Sequence, residues 1–226
     1  MFSTLKIDSD ILDTFKIEAA GILYKQLHAL RTFEAYQHLK KIIDLDDILL
    51  KYDEIEKQLV SKGIIEKTVR VVFSARDFAY TFTVSDCIAL ESPVWLELIR
   101  NIKQQSGLGA QNYKWKQRLF WDELIQKKMK SAFDVISVNE KDELVETSRF
   151  NIFLYDKTSD FVLTPALSSG CINGVLRRLI IHQNYIDLPK LGKKKIQEIN
   201  LLAENISQYQ LFVANSVRGV LPAELL

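Results

Sequence analysis

Cysteine and histidine are scarce in this sequence, and their scarcity limits the chemistry that it can support. Cys87 and Cys171 are the two cysteines among 226 residues, too few for a disulfide framework and typical of a reducing setting. None of the three histidines stands at a metal-ligand spacing from a cysteine or a carboxylate. Zinc chemistry and a Ser-His-Asp triad are therefore poor explanations of function, and we expect a cytoplasmic protein without a bound metal.

An excess of charge and a long apolar run are also lacking. The formal net charge is +1, which gives no electrostatic reason to expect nucleic acid or an acidic membrane as a partner. The one basic cluster, residues 193–195 (KKK), has no interleaved aromatic residues and is typical of a solvated helix end. No apolar segment approaches the roughly 18 residues of a membrane span, and no signal-peptide pattern opens the sequence. We therefore expect neither nucleic acid nor a membrane as a partner.

The sequence does contain enough apolar material for a large core. Hydrophobic residues make up 47% of the chain and charged residues 26%, the proportions of an ordinary folded protein. Apolar spacing and β-branched runs predict these elements in the first half: a strand over 2–7, a helix over 15–43, a helix from Asp46 or Asp47 through Ser61, strands over 68–73 and 80–84, and a strand or helix over 94–99.

A linker is predicted over residues 103–112 (KQQSGLGAQN), which are polar and carry two glycines. Beyond it the predicted elements are a helix over 118–130, strands over 133–138, 144–147, 150–155 and 161–163, a helix over 175–183, and a final strand over 211–214. Short strands that alternate with helices indicate an α/β or α+β fold. We expect an N-terminal α+β part over 1–105 and a C-terminal α/β part over 106–226.

Three motifs follow the linker in an informative order. They are KWKQRL from Lys114, ETSRFNIF from Glu146, and GCINGVLR, which contains Gly174. A lysine can form an imine with an aldehyde, a carboxylate can keep a pyridine nitrogen protonated, and a helix N-terminus favours a phosphate. The ordered set resembles the class IV aminotransferase family, also called fold-type IV pyridoxal phosphate enzymes. That family includes branched-chain and D-amino-acid aminotransferases and 4-amino-4-deoxychorismate lyase.

The resemblance implies that Lys114 forms the imine with pyridoxal 5'-phosphate. Lys-x-x-x-Arg-Leu, which runs from Lys114 to Leu119, is similar to the lysine motif of the lyase branch. Such an amine has to be deprotonated in a partly desolvated pocket. Lys116, one strand pitch away, is the rival. Without the resemblance, either lysine would be interpreted as an ordinary surface residue.

Glu146 lies 32 residues after Lys114 and opens Glu-x-x-x-x-Asn-Ile-Phe, which matches the family pattern at all four places. The resemblance implies that Glu146 faces the pyridine nitrogen of the cofactor and that Asn151 shapes the backbone at the site. A carboxylate exposed at the end of a strand is the plain alternative.

A helix start follows, in which Asn173 can serve as the cap and Gly174 lets backbone approach an anion closely. The resemblance implies that the backbone amides of Val175 and Leu176 bind the cofactor phosphate. A capped helix with a leading glycine and no ligand is the alternative.

Residues 215–222 (NSVRGVLP), near the end of the sequence, look like the family's last active-site loop. The resemblance implies that Ser216 reaches the phosphate and that Arg218 binds a substrate carboxylate. An exposed turn explains the same residues without any ligand.

The family's His-x-x-Arg, whose arginine contacts the phosphate, is harder to place. Counting directly from the predicted first strand puts Glu18 and Gly21 at these positions, which removes the arginine. His28 and Arg31 restore the pattern if about ten residues are inserted. Arg70 is a further possible substitute.

The resemblance implies a homodimeric, two-part fold-type IV enzyme. The favoured reaction is the conversion of 4-amino-4-deoxychorismate to 4-aminobenzoate and pyruvate, which serves folate synthesis, because Lys-x-x-x-Arg-Leu and Asn-Gly-Val-Leu-Arg are nearer the lyase branch. A D-amino-acid or branched-chain aminotransferase is the alternative. A non-catalytic relative that keeps the fold is a third hypothesis, which a lost phosphate arginine would favour.

Overall fold

The computed structural model describes residues 9–226, so the strand predicted over 2–7 lies outside the described residues. Grouped by their contacts, the residues form two units whose limits differ from the division predicted after residue 105. The first unit comprises the described residues up to Ile88 together with Tyr113–Gln117. The second comprises Ala89–Asn112 and Arg118–Leu226. Both mix helices and strands, which confirms the predicted fold class.

The first unit is an antiparallel sheet with two helices. Its elements are β1 (Ile11–Glu18), β2 (Gly21–Ile22), α1 (Lys25–His38), α2 (Leu45–Ser61), β3 (Lys67–Phe73) and β4 (Tyr80–Asp86). The strand order is β2-β1-β3-β4. Apolar side chains of the strands and both helices, among them Phe15, Tyr36, Tyr52 and Phe73, form one buried core.

The helix predicted over 15–43 is wrong in its first part. Residues 11–18 form β1, which pairs with β3 from Ile11 opposite Phe73 to Ile17 opposite Lys67. The helix begins only at Lys25, after Tyr24, whose φ of 58° cannot continue a right-handed helix. Strand pairing along the whole of β1 decides the structure here, and the sequence pattern does not record it.

The remaining predictions for the first unit hold with small shifts. Helix α2 ends at Ser61 as predicted, but its cap is Asp44, which has the extended backbone that a capping residue needs. Asp46 and Asp47 lie inside the first turn. The strands predicted over 68–73 and 80–84 are confirmed as β3 and β4.

Residues 113–117 return to the first unit by backbone pairing with β1. The Leu12 N–H donates to the Lys114 carbonyl at 2.9 Å, and the Lys116 N–H donates to the Asp10 carbonyl at 2.8 Å. Ile11 and Trp115 form an antiparallel bridge between these two bonds. The backbone of Lys114 is therefore fixed on β1.

The second unit is built on a mixed sheet of nine strands. Its elements are β5 (Val94–Gln104), α3 (Leu119–Lys127), β6 (Asp134–Asn139), β7 (Leu144–Thr147), β8 (Asn151–Asp156), β9 (Phe161–Pro165), α4 (Val175–Gln183), β10 (Tyr185–Leu188), β11 (Gly192–Ile199), β12 (Gln210–Asn215) and β13 (Gly219–Leu225). The strand order is β10-β11-β9-β8-β12-β13-β5-β6-β7.

Several predictions in the second unit need correction. Strand β5 resolves the choice between strand and helix, and it runs through Gln104 into the predicted linker. The three lysines at 193–195 lie in β11, not at a helix end. Strands β10, β11 and β13 were not predicted, so β12 is not the final strand. Helix α3 is shorter than predicted. Leu124 is buried on it, and Leu119 is 74% exposed.

Strand β11 shows why the lysine run misleads. It pairs with β10 on one edge and with β9 on the other, so its backbone is satisfied on both sides. Lys193 and Lys195 remain exposed, while Ile196 is buried.

Across the described residues, no helix combines the length and the apolar character needed to cross a membrane.

Candidate active site

A buried polar group in the first unit surrounds Asp13, which is 0% exposed at the middle of β1. Its Oδ2 accepts hydrogen bonds from His28 Nδ1 at 2.8 Å and from the Tyr52 hydroxyl at 2.6 Å. Its Oδ1 accepts a hydrogen bond from Arg31 Nη2. Thr32 Oγ1 lies 2.8 Å from the Tyr52 hydroxyl. We call Asp13, His28, Arg31, Thr32 and Tyr52 the Asp13 cluster.

The His-x-x-Arg alternatives can now be located. Glu18 ends β1 and Gly21 belongs to β2, so neither lies on a helix. His28 and Arg31 lie one turn apart on α1, and both hydrogen-bond to Asp13. Arg70 lies on β3 and is exposed. Of the positions considered for the family's phosphate arginine, Arg31 is therefore the one that the structure places in a polar cluster.

Lys114 is positioned beside the Asp13 cluster. Its backbone is held on β1, and Lys114 Nζ donates to Thr14 Oγ1 at 3.2 Å. Leu12, Asp13 and Thr14 are successive residues of β1, so one short segment contacts both the lysine and the cluster. The rival Lys116 is exposed and forms an ion pair with Asp10 at 3.3 Å.

Electrostatics in this region favour a charged Asp13 and a neutral His28. Burial alone raises the pKa of Asp13, but the interactions with His28, Arg31 and Lys114 outweigh burial and hold the pKa well below its ordinary value. Burial lowers the pKa of His28, and Asp13 opposes this only in part. Burial also raises the pKa of Tyr52. The Tyr52 hydroxyl is therefore a protonated donor to a carboxylate.

A second polar group, in the second unit, surrounds Glu146. Glu146 lies on β7 and is 3% exposed, so the alternative of an exposed strand end is wrong. Its Oε2 accepts a hydrogen bond from Asn151 Nδ2 at 3.1 Å, and the same amide donates to the Ile172 carbonyl at 3.0 Å. The two strands β7 and β8 therefore tie Glu146 to the segment that precedes α4. We call Glu146, Asn151, Ile172 and Gly174 the Glu146 cluster.

Gly174 is the residue that the close packing of this cluster requires. A Cβ atom at this position would lie 2.1 Å from Asn151 Oδ1. Its φ of −58° is accessible to any residue, so space and not backbone conformation imposes the glycine. The side chain that blocks the space is the one that binds Glu146.

The N-terminus of α4 differs from the prediction in one respect. Gly174 is the N-cap residue, and Asn173 precedes it; Asn173 Oδ1 accepts a hydrogen bond from Arg177 Nη1 at 3.2 Å. No side chain among the described residues caps this helix. The first N–H groups of a helix have no partner within the helix, and here they belong to Val175 and Leu176, both buried. An uncapped, desolvated helix N-terminus can accommodate a phosphate.

The C-terminal residues Ser216 and Arg218 lie in the turn between β12 and β13. Ser216 is buried, whereas Arg218 is partly exposed. Asn215 shapes the turn because its Oδ1 accepts hydrogen bonds from the N–H groups of Val217 at 3.0 Å and Arg218 at 2.8 Å. The simple exposed turn is therefore wrong for Ser216.

Three residues with strong positioning roles were missed in the sequence. Asp13 and Tyr52 are described above. Asn112 donates through its side-chain amide to the Leu167 carbonyl at 2.9 Å and to the Cys171 carbonyl at 2.8 Å. It thereby anchors the predicted linker to the turn before α4. Their partners are up to 59 residues away in the chain, so no local motif could identify them.

Comparison with known proteins bears on these two clusters. Residues 117–226 match the family model described as amino-transferase class IV. The matched region begins three residues after Lys114 and contains the whole Glu146 cluster. A comparison with curated proteins gives no match.

Solved structures resemble the whole chain. A putative amino-acid aminotransferase from Mesorhizobium loti has a TM-score of 0.82 at 20% identity and covers 97% of this chain and 100% of its own. A putative 4-amino-4-deoxychorismate lyase from Legionella pneumophila has a TM-score of 0.77 at 18% identity, with 100% and 88% covered. A hypothetical aminotransferase from Mycobacterium tuberculosis, in its α-ketoglutarate and PMP bound form, has a TM-score of 0.73 at 14% identity, with 99% and 83% covered.

At these identities, the structural likeness is evidence of fold. The family match supplies sequence evidence for the second half of the chain. Residues 117–226 thus carry the sequence pattern of the class IV aminotransferases, and the chain as a whole has the fold of that family's solved structures.

Proposed function

We propose that this chain is a pyridoxal 5'-phosphate-dependent 4-amino-4-deoxychorismate lyase. The observation that carries the proposal is the Glu146 cluster, in which one asparagine joins a buried carboxylate to an uncapped helix N-terminus. Such a cofactor needs a buried acid beside its ring nitrogen and an anion site for its phosphate. Class IV aminotransferases use this cofactor.

The described residues fit the cofactor in a specific way. Glu146 would hold the pyridine nitrogen, and the Val175 and Leu176 amides would hold the phosphate together with Ser216. Because Gly174 has no side chain, there is room for the Asn151 amide, which connects Glu146 with the segment before α4. When bound, the cofactor supplies an electron sink for the carbanion that proton removal leaves.

The protein's own residues would then perform the acid–base steps. Lys114 would bind the cofactor covalently in the resting enzyme. Once the substrate amine displaces it, the neutral Lys114 amine would remove the proton from the carbon that bears the nitrogen. Glu146 would keep a proton on the ring nitrogen, and Arg218 would bind a substrate carboxylate. Loss of pyruvate would leave an aromatic product, which favours the lyase reaction.

The lyase assignment rests on Lys-x-x-x-Arg-Leu and on Asn-Gly-Val-Leu-Arg, both nearer the lyase branch of the family. The likeness to the Legionella structure supports the same choice. An amino-acid aminotransferase is the second candidate, and the likeness to the Mesorhizobium structure favours it. In either case we propose a cytoplasmic homodimer that acts on a small molecule.

Product analysis distinguishes the candidates. Purified protein with 4-amino-4-deoxychorismate should release 4-aminobenzoate and pyruvate in equal amounts without any keto-acid acceptor. If D-alanine or leucine instead bleaches the visible absorbance and 2-oxoglutarate restores it, the protein is an aminotransferase. If pyridoxal phosphate does not bind at all, the protein is a non-catalytic relative.

A further inference from the structure

We propose that Asp13 is a positioning residue for the part of the site that contains Lys114. Its buried carboxylate orients the Arg31 guanidinium and supplies a negative charge near Lys114. This inference rests on the proposed function, which assigns Lys114 to cofactor binding, and it adds Arg31 as a further group that binds the cofactor phosphate. It assigns no contact with substrate to Asp13 itself.

The hydrogen bonds around Asp13 specify one arrangement of protons. The Tyr52 hydroxyl has one hydrogen and donates it to Asp13, so Thr32 donates to Tyr52. Asp13 is a carboxylate and can only accept, so His28 donates from Nδ1. The hydroxyl hydrogen of Tyr52 and the Nδ1 hydrogen of His28 are therefore committed to Asp13, and both carboxylate oxygens of Asp13 accept hydrogen bonds.

The two carboxylate oxygens of Asp13 have hydrogen-bond partners that differ in their exposure to solvent. Oδ2 accepts from Tyr52 and His28, which lie on α2 and α1 and are both 0% exposed. Oδ1 accepts from Arg31, whose side chain is 11% exposed. The buried donors thus hold the carboxylate still, and the carboxylate presents its other oxygen to the one guanidinium of the cluster that reaches solvent. A guanidinium has five N–H donors, so Arg31 retains donors for a second anion.

Lys114 is controlled from the same strand. The backbone of Leu12 binds the Lys114 carbonyl, and the Thr14 hydroxyl binds its amine. Between them, Asp13 is the carboxylate on which the Lys114 charge acts. Because electrostatic interaction is mutual, the negative charge of Asp13 acts in turn on the nitrogen of Lys114. The charged and titratable groups around Asp13 are His28 and Arg31 on α1, Tyr52 on α2, and Lys114.

Removal of the charge without a change of shape tests the inference. In Asp13→Asn, we expect pyridoxal phosphate to bind about tenfold more weakly, because Arg31 loses its orientation. The pH at which the visible absorbance of the bound cofactor titrates should fall by about one unit, because an adjacent negative charge favours the protonated form. An unchanged affinity together with an unchanged titration would overturn the inference, since a purely structural Asp13 would alter unfolding alone.

Two tyrosine variants keep the test decisive if Asp13→Asn does not fold. Tyr52→Phe removes one hydrogen bond to Asp13 and keeps the charge, and we expect about threefold weaker cofactor binding. Tyr36→Phe is the matched control: Tyr36 is also 0% exposed in the first unit, but its hydroxyl donates to the Ser74 carbonyl at 2.9 Å. Equal cofactor affinity in the two variants would contradict the inference.

The wild-type protein separates this inference from the proposed function. Borohydride reduction of the wild-type complex should fix the pyridoxyl group on Lys114. If wild type does not bind pyridoxal phosphate, the proposed function fails first. If wild type binds it and the Asp13 and Tyr52 variants bind equally well, only the role of Asp13 fails.

Discussion

The Asp13 cluster and the Glu146 cluster both hold a buried carboxylate, but they do so by different means. Around Asp13 the donors are an arginine, a histidine and a tyrosine from two helices. Glu146 accepts a hydrogen bond from the neutral amide of Asn151, and the same amide also binds a backbone carbonyl. The hydrogen bonds to Asp13 thus include one from a charged guanidinium, whereas the bond from Asn151 to Glu146 depends on the close fit of this asparagine against Gly174.

This difference decides which substitutions each cluster tolerates. A change of charge should destabilise the Asp13 cluster most and should alter the environment of the adjacent lysine. Charged hydrogen bonds in a buried site are strong, and breaking one leaves a buried polar group without a partner, which costs free energy. A change of size should damage the Glu146 cluster, because a Cβ atom at Gly174 would lie 2.1 Å from Asn151 Oδ1.

The largest effect is expected at Lys114. Under the proposed function, Lys114→Ala would remove both the covalent attachment of the cofactor and the base, and we expect activity to fall by at least about 10³-fold. Peptide mapping after borohydride reduction should find no pyridoxyl group in this variant. Lys116→Ala, an exposed lysine two residues away, is the control and should retain both activity and labelling. Labelling of Lys116 in wild type would reverse the assignment.

A smaller but still large effect is expected at Glu146. Glu146→Gln keeps the shape but, under the proposed function, would remove the ionic partner of the ring nitrogen, so activity should fall by at least about 10²-fold with near-normal folding. Glu143→Gln is the matched control, because Glu143 is also buried and accepts an amide hydrogen bond, from Asn139 Nδ2 at 2.6 Å. We expect it to retain activity. A fully active Glu146→Gln enzyme would leave Glu146 with a packing role alone.

A change of size should affect the second cluster specifically. In Gly174→Ala, the new methyl group would meet the Asn151 amide oxygen, so Asn151 has to move and Glu146 loses a donor. We expect a loss of about 1–3 kcal/mol in unfolding free energy. The affinity for pyridoxal phosphate should also fall about tenfold, on the order of a lost hydrogen bond to a charged group. Equilibrium unfolding in urea and cofactor titration measure the two effects.

The control for this change is Gly109→Ala, whose methyl group would meet the flexible amide of Gln111 at 2.9 Å. It should alter neither quantity much, because that side chain can turn away. If Gly174→Ala behaved like Gly109→Ala, the tight packing of the second cluster would have no functional meaning.

The smallest predicted effect concerns pH and the first cluster. The pKa of His28 is lowered by burial, so the unfolded chain binds a proton that the folded chain does not. Stability should therefore fall as pH drops below the ordinary histidine value, by about 1 kcal/mol between roughly pH 7.5 and 5.5. His28→Asn keeps a donor for Asp13 and should flatten this dependence. His38→Asn, an exposed residue on the same helix, should not.

The structure of the second unit was the more predictable from sequence. Strand β7 and helix α4 have the bounds that the residue pattern indicates, Leu144–Thr147 and Val175–Gln183. The Glu146 cluster is also local, since its residues fall within one short stretch and form recognisable motifs. Strand β13 was missed because it contains Pro222, a residue that weakens any strand pattern.

The first unit was less predictable because of Asp13 itself. Along β1, the inward positions are Ile11, Asp13, Phe15 and Ile17. A buried aspartate is rare, and it interrupts the alternation that identifies a strand. The buried aspartate thus hides the strand pattern, and the pairing of β1 with β3 then decides a structure that the local sequence does not indicate. The partners of Asp13 lie 15, 18 and 39 residues away, which no single motif spans.

The return of residues 113–117 to the first unit has a consequence for the order of events during synthesis. The five residues pair with β1 only after Ala89–Asn112, which belong to the second unit, have already been made. A ribosome that has translated every helix and strand of the first unit has therefore not yet supplied its last segment. Because that segment contains Lys114, the lysine is made after every other residue of the first unit that precedes Ala89. A nascent chain stalled at residue 112 would contain all residues of the Asp13 cluster but not the lysine beside them.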